Sequence, residues 1–231
     1  LKPRDFGPFI QEKAGRKGEV QRVRQLAVLS AAFTQAVSFW YLLDHNVLRD
    51  VKRPKRPPRD RLIEDWEFQA IRSGAPLRVQ LMMDLAIRLG QRQGDLLDLK
   101  WSDLKDGYVN LQQGKTGKRL AIEISPELKR IFGRCWMLPN RGEYVITRKC
   151  GGRYTSAGFR ALWQRVMNAY VRRGGQRATF HDIRALCATK CKTPEEAMKL
   201  LGHTNISMTL RVYRRGVEKV KALQVEAVAR S

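Results

Sequence analysis

Acidic residues are scarce in this chain of 231 residues, where 22 Asp and Glu stand against 45 Lys and Arg, for a formal net charge of +23. The surplus is spread over the whole length, before and after residue 60, so it is not one basic tail. Such an imbalance points to a polyanionic partner, nucleic acid first, with binding that weakens steeply as salt displaces released counterions. Histidine is rarer still, with three copies, and the four cysteines at 135, 150, 187 and 191 form no Cys-x-x-Cys pair. That spacing argues against a zinc ribbon. Cys187 and Cys191, four apart on an expected helix, read as core thiols, reduced and suited to the cytoplasm. No apolar run approaches the ~18 residues of a membrane span, and no signal peptide is evident. A phosphate-cradling P-loop is also missing. Gly114-Lys115-Thr116 resembles its end, but the required glycine five residues earlier is Val109, so no ATP and no other cofactor are expected. The start at Leu1 rather than Met is expected to mark a fragment of a longer chain.

What is present is a largely helical pattern, with 43% hydrophobic residues to supply a core. Apolar residues at helical spacing predict one helix over residues 18–43. Residues 44–50 read as a turn. Residues 51–61, VKRPKRPPRDR, hold three prolines and six basic residues, which predicts a linker or an extended basic strap. Lys52, Arg53, Lys55 and Arg56 are its candidate phosphate contacts; the plainer alternative is a solvated loop. Helices are expected at Glu64–Ser73, Pro76–Leu89 and Gly94–Leu99. Strands are expected at Tyr108–Leu111 and Leu120–Ile124, joined by a glycine- and lysine-rich turn, with Tyr144–Thr147 as a third. Ser125-Pro126 opens a further helix, and Thr193-Pro194-Glu195-Glu196 is a capping box stopped by Gly202. Helices over 156–173, His181–Lys190, 205–214 and 216–229 complete an α+β, mostly α, fold with a small antiparallel sheet. The expected division is 1–50, 51–61 and 62–231.

Three segments carry chemistry-bearing residues: Leu89 through Trp101 (LGQRQGDLLDLKW), His181-Asp182-Ile183-Arg184, and Leu201-Gly202-His203-Thr204, followed ten residues after the histidine by Tyr213. His181 and Arg184, three apart on a helix, share a face. Fixed positive charge, a proton carrier and a hydroxyl are the parts of a phosphate-transfer site. Each part alone also has a plain reading: a surface pair for His181 and Arg184, core packing for Tyr213, an ordinary helix-start residue for Arg92.

Together these segments resemble the tyrosine recombinases, also called phage integrases. Gly90 through Trp101 is similar to the box that holds the family's first arginine, here Arg92, with Asp95 as its acid. Lys115-Thr116 in the expected hairpin is similar to the family's β-turn lysine. His181 and Arg184 stand at the His-x-x-Arg box, Leu201-Gly202-His203 at the Leu-Gly-His box, and Tyr213 at the tyrosine. Ile183 and Ala185-Leu186 depart from the usual Leu and His-Thr, and Arg214-Arg215 follow Tyr213 where many members have Tyr-x-His. The resemblance covers about residues 61–231 well and 1–50 loosely, as the C-terminal part of a helical core-type DNA-binding domain.

The resemblance implies site-specific cutting and rejoining of duplex DNA without metal or ATP. Tyr213 would attack the scissile phosphate and form a 3′-phosphotyrosyl bond, with His181 as base, Arg92, Arg184 and His203 on the non-bridging oxygens, and Lys115 as acid for the leaving 5′-hydroxyl. Asp95 would buttress Arg92. It implies a clamp round DNA attachment sites, four protomers on synapsed duplexes, and an accessory host DNA-bending protein or excision factor. The tail helix docks on a neighbour or packs on its own domain; both stay open. The alternatives are a type IB topoisomerase-like relaxing enzyme, working alone, and a non-catalytic DNA-binding module.

Overall fold

A computed structural model describes residues 3–6, 8, 16–51 and 61–213; the side chains of 3, 4, 16–20 and 211–213 lie outside the description. The expected strap, with Lys52, Arg53, Lys55 and Arg56, and the expected tail helix over 216–229 fall outside the described residues. The chain divides into two units, Leu1–Arg59 and Asp60–Ser231.

In the first unit, α1 (Arg16–Ser38) buries Leu26 against Val47 and Leu48, with Phe33 set edge-on to Phe6 at 6.1 Å. The Asn46 side chain ties the returning chain to the helix. It donates to the Ser30 carbonyl and to Thr34 Oγ1, both at 2.9 Å, and accepts from the Leu48 amide. The helix ends at Ser38, five residues short of the expected bound, and Trp40 is exposed, as are Phe39, Tyr41 and Leu42. Helical spacing alone extended the reading through them, whereas Tyr41 has a left-handed φ of 52° that no helix continues.

The second unit is built round α3 (Leu77–Leu89). Its sequence LRVQLMMDLAIRL is apolar on nearly every side, and Val79, Leu81, Met82, Met83, Leu85, Ala86 and Leu89 are all buried. A helix of that kind belongs at the centre of a core. It packs against α2 (Asp65–Ser73), α5 (Pro126–Trp136) and α7 (Phe180–Lys190). Truncating one of its large side chains to Ala costs about 2–5 kcal/mol. The one acid in α3, Asp84, is gripped bidentately by Arg72 at 2.6 and 2.8 Å. From α6 (Ser156–Arg172), Phe159 and Trp163 meet Phe180 edge to face at 5.1 and 5.3 Å, fixing the start of α7.

The sheet is antiparallel, in the order β1 (Leu104–Lys105), β2 (Tyr108–Gln112), β3 (Arg119–Glu123). The third strand is thus Leu104–Lys105. Tyr144 and Thr147 make only isolated bridges, to Lys100 and Arg153. Asp106-Gly107 turns the chain between β1 and β2 with φ of 53° and 79°, the doubly positive turn that matches hairpin twist. Ser125 and Thr193 cap α5 and α8 (Pro194–Leu201), each accepting from an amide three residues on. Thr179 caps α7 in a reciprocal box with Asp182.

Two left-handed glycines bring the helix ends together. Gly90 ends α3 at φ 63° and Gly202 ends α8 at φ 65°. A Cβ on Gly90 would stand 2.9 Å from Leu201 Cδ2 and 3.0 Å from Cys187 Sγ. Gly90→Ala therefore combines backbone strain with overpacking, and is expected to destabilise the chain by about 1–3 kcal/mol. A urea midpoint equal to that of the parent chain would contradict this close approach.

Candidate functional site

The close of α3 leads directly to Arg92, the N-cap of the short helix α4 (Gln93–Leu97). Its guanidinium is largely buried. Nη1 donates to Gln113 Oε1 at 2.9 Å and lies 3.8 Å from Asp95 Oδ2. Asp95, one turn along α4, accepts the Gly114 amide on Oδ1 at 3.0 Å, so the acid anchors the β2–β3 turn as well as facing Arg92. That turn is closed by the Gln113 amide to the Lys118 carbonyl and the Gly117 amide to the Gln113 carbonyl, both at 2.8 Å. It carries Lys115 exposed at its tip and Lys118 half-buried at its base.

Arg184 is the most deeply set cation among the described residues, 4% exposed on α7. Its Nη1 donates to the Gly90 carbonyl and its Nη2 to the Leu201 carbonyl at 2.6 Å. Both acceptors lie where helices end, and the negative end of the helix dipole favours a cation there. Burial and the neighbouring Arg92 cation push the Arg184 pKa down to about 10, with Asp95 pulling the other way; it remains charged at neutral pH. His181, three residues before it, is exposed, while Asp182 between them is buried as the cap acid of α7.

His203 follows Gly202 at the end of α8, half-buried. Its Nδ1 lies 2.9 Å from Oγ1 of Thr209, which is fully buried in α9 (Ile206–Tyr213). Burial first, then Arg184, Arg92, His181 and Lys118 in turn, push its pKa down to about 4. The structure therefore brings Arg92, Arg184, His181 and His203 into one field, from three segments of chain. Lys115 stands on the turn beside them. Tyr213 is the last residue of α9, one helical turn beyond Thr209, and its side chain lies outside the described residues. Sequence reading passed over Gln91, Gln113, Lys118 and Thr209. For Thr209 the spacing of four from Tyr213 on a helix was an available signal.

This field has a consequence for stability. An unfolded His titrates near 6.5, so between about pH 6.5 and 4 the unfolded chain binds more protons than the folded one, and stability falls as pH drops through that window. His203→Gln removes this contribution. Urea unfolding at pH 7 and pH 5 is expected to show a smaller loss for His203→Gln than for the parent; equal losses would mean that His203 titrates normally in the fold.

Residues 67–219 match the model of the phage integrase family. The integrase of Escherichia phage lambda is 29% identical over 214 aligned positions, covering 87% of this chain and 58% of that protein. The prophage integrase IntE of Escherichia coli K12 is also 29% identical, covering 91% of this chain and 61% of its own length. This chain thus spans roughly three fifths of the curated relatives it matches. Among solved structures, a lambda integrase tetramer bound to a Holliday junction superposes with a TM-score of 0.82 at 25% identity, covering 96% of this chain and 68% of that one. A lambda integrase dimer bound to a core site gives 0.82 at 23% identity, covering 98% and 68%. With a family model spanning most of its second unit, the chain belongs to the phage integrase family.

Proposed function

We propose that this chain is the DNA-cutting and rejoining part of a tyrosine site-specific recombinase, acting on duplex attachment sites through a 3′-phosphotyrosyl intermediate. The observation that carries the reading is the convergence of the Arg92, Arg184 and Lys118 cations on His203, with His181 beside them. Like charges held this close relax only when an anion enters, and a phosphodiester gaining charge in its transition state is such an anion. Among the described residues each guanidinium keeps donors to spare. Arg184 spends one N–H on each of two carbonyls and Arg92 one on Gln113, out of five apiece.

In this reading the Tyr213 Oη attacks phosphorus, the P–O5′ bond breaks, and the 3′-phosphate stays on the tyrosine. His181 takes the phenolic proton, which otherwise leaves only near pH 10. Arg92 and Arg184 hold the non-bridging oxygens. His203 joins them through Nε2–H, the tautomer obtained when Thr209 donates to Nδ1. Lys115 gives a proton to the leaving 5′-oxygen, and Asp95 steadies Arg92. The phosphotyrosyl ester conserves the bond energy, so a 5′-hydroxyl from a partner duplex reverses the step without ATP. No metal is assigned a part, since the cations take the charge-stabilising role.

The relatives support the assembly we propose: four copies on two duplexes, passing through a Holliday junction, as in the lambda integrase tetramer. Residues 62–231 are assigned as the catalytic domain and 1–50 as part of a core-type DNA-binding domain. The 51–61 segment, with Lys52, Arg53, Lys55 and Arg56, is assigned to phosphates between them. DNA work places the protein in the cytoplasm of its host cell.

The test starts from duplexes selected by binding from a random pool, remade with a nick that traps the covalent intermediate. The parent chain is expected to form a protein–DNA adduct. Tyr213→Phe is expected to abolish it while binding persists, because only a hydroxyl is lost. An adduct with Tyr213→Phe would remove Tyr213 as nucleophile. Supercoil relaxation without recombinant joints would favour the topoisomerase reading.

Lys115 has its own test. Replacing O5′ at the cleavage point by sulfur gives a leaving group that needs little protonation. Lys115→Ala is expected to be about 10²–10³ slower on ordinary DNA and much less impaired on the sulfur substrate. Arg92→Ala is expected to be slow on both, since the non-bridging oxygens are unchanged. Equal defects of Lys115→Ala on the two substrates would leave it a phosphate contact rather than the acid.

A further inference from the structure

Gln113 is fully buried at the end of β2, and its carboxamide spends all four of its hydrogen-bonding positions. Oε1 accepts from Arg92 Nη1 at 2.9 Å and from Thr116 Oγ1 at 2.8 Å. Nε2 donates to Gln91 Oε1 at 2.7 Å and to the Leu201 carbonyl at 2.9 Å. The orientation is fixed by its partners, because a guanidinium only donates and a carbonyl only accepts. Gln91 extends the link, donating to the Leu89 and Leu200 carbonyls, both at 2.8 Å. One amide thus joins the first arginine, the turn that carries Lys115, and the turn that presents His203. Gly202 is shaped to it as well, since a Cβ there would stand 2.6 Å from Gln113 Nε2.

We propose that Gln113 is a positioning residue for strand cleavage, holding Arg92 and the Lys115 turn in register with the Leu201–His203 turn. This rests on the reading that Arg92 and Lys115 act on the scissile phosphate. A neutral amide suits the task where a carboxylate would not. It fixes the Arg92 guanidinium by one edge without adding a second acid to Asp95, so much of the charge stays available to the phosphate. A glutamate in its place would pair with Arg92 and would turn a second acceptor toward the Leu201 carbonyl, leaving that oxygen and its own facing each other.

The decisive measurement is the single-turnover rate of adduct formation on the nicked duplex, alongside DNA affinity by gel shift, with the full chain. Gln113→Met keeps the length of the side chain and loses every hydrogen bond. It is expected to slow adduct formation about 10- to 100-fold with affinity unchanged, the size of effect that a displacement near 1 Å produces. Because part of the effect passes through Arg92, the loss should shrink clearly when Gln113→Met is added to Arg92→Ala. The same factor in both backgrounds, or a parental rate in Gln113→Met, would overturn the inference. Thr116→Val, at an exposed turn position, removes one of the four bonds without disturbing the core. A slowed rate there supports the link even if Gln113→Met fails to fold, and a parental rate breaks it. A parent chain that forms no adduct at all sinks the proposed function; an active parent with indifferent Gln113 variants sinks only this inference.

Discussion

The constraint on which the second unit turns is the burial of the Arg184 guanidinium between two helix ends. Burying a cation is costly unless fixed dipoles replace water. Here the replacement is the carbonyl of Gly90 at the close of α3 and the carbonyl of Leu201 at the close of α8. Both helices must stop in register for those oxygens to converge, and both stop at a left-handed glycine. The core helix, the first arginine box and the Leu-Gly-His box are thereby tied to one side chain.

The same arrangement explains why the cations keep their charge free. Their closest partners are carbonyls and amides rather than acids. Leu201 O takes one bond from Arg184 and another from Gln113, and Gln113 passes the link on to Arg92. Asp95 stands 3.8 Å from Arg92 and commits one oxygen to the Gly114 amide, while its Oδ2 makes no hydrogen bond among the described residues. Local ion pairs elsewhere in the fold look different: Arg72 and Asp84, or Arg61 and Glu67, close two hydrogen bonds and neutralise each other. Those pairs hold elements together. The cluster round His203 is left in want of an anion.

Much of this was legible in the sequence, where the physics was local. Helix α3 announced itself by an apolar run, α5 and α8 by Ser-Pro and Thr-Pro caps, and the end of α8 by Gly202. The third strand was misplaced to Tyr144–Thr147, whose apolar character comes from packing Val145 and Ile146 into the core rather than from ladder pairing. The true signal was Asp106-Gly107, a two-residue turn that fixes β1 against β2 despite the strand's length of two. The chemistry-bearing boxes were readable as short patterns. The amides that join them were not, because Gln113 meets Leu201 across 88 residues and Gln91 meets Leu200 across 109. In sequence each is an ordinary polar residue, and only the folded chain makes it a connector.

His203 shows how such a frame tunes a proton without an acid nearby. Arg92, Arg184, His181 and Lys118 face it from α4, α7 and the β2–β3 turn, and all of them disfavour its charged form. The imidazole is therefore neutral in the free protein, with its Nδ1 2.9 Å from Thr209 Oγ1. A phosphate entering among these cations offsets their repulsion and favours protonation, so the field on His203 weakens as the anion arrives. A neutral imidazole costs less to hold in this cluster than one more cation would. Thr209 sits one helical turn before Tyr213, so its contact with His203 also ties α9, which carries Tyr213, to the end of α8. The surroundings of the His203 ring and the placement of α9 are in this way linked by one contact.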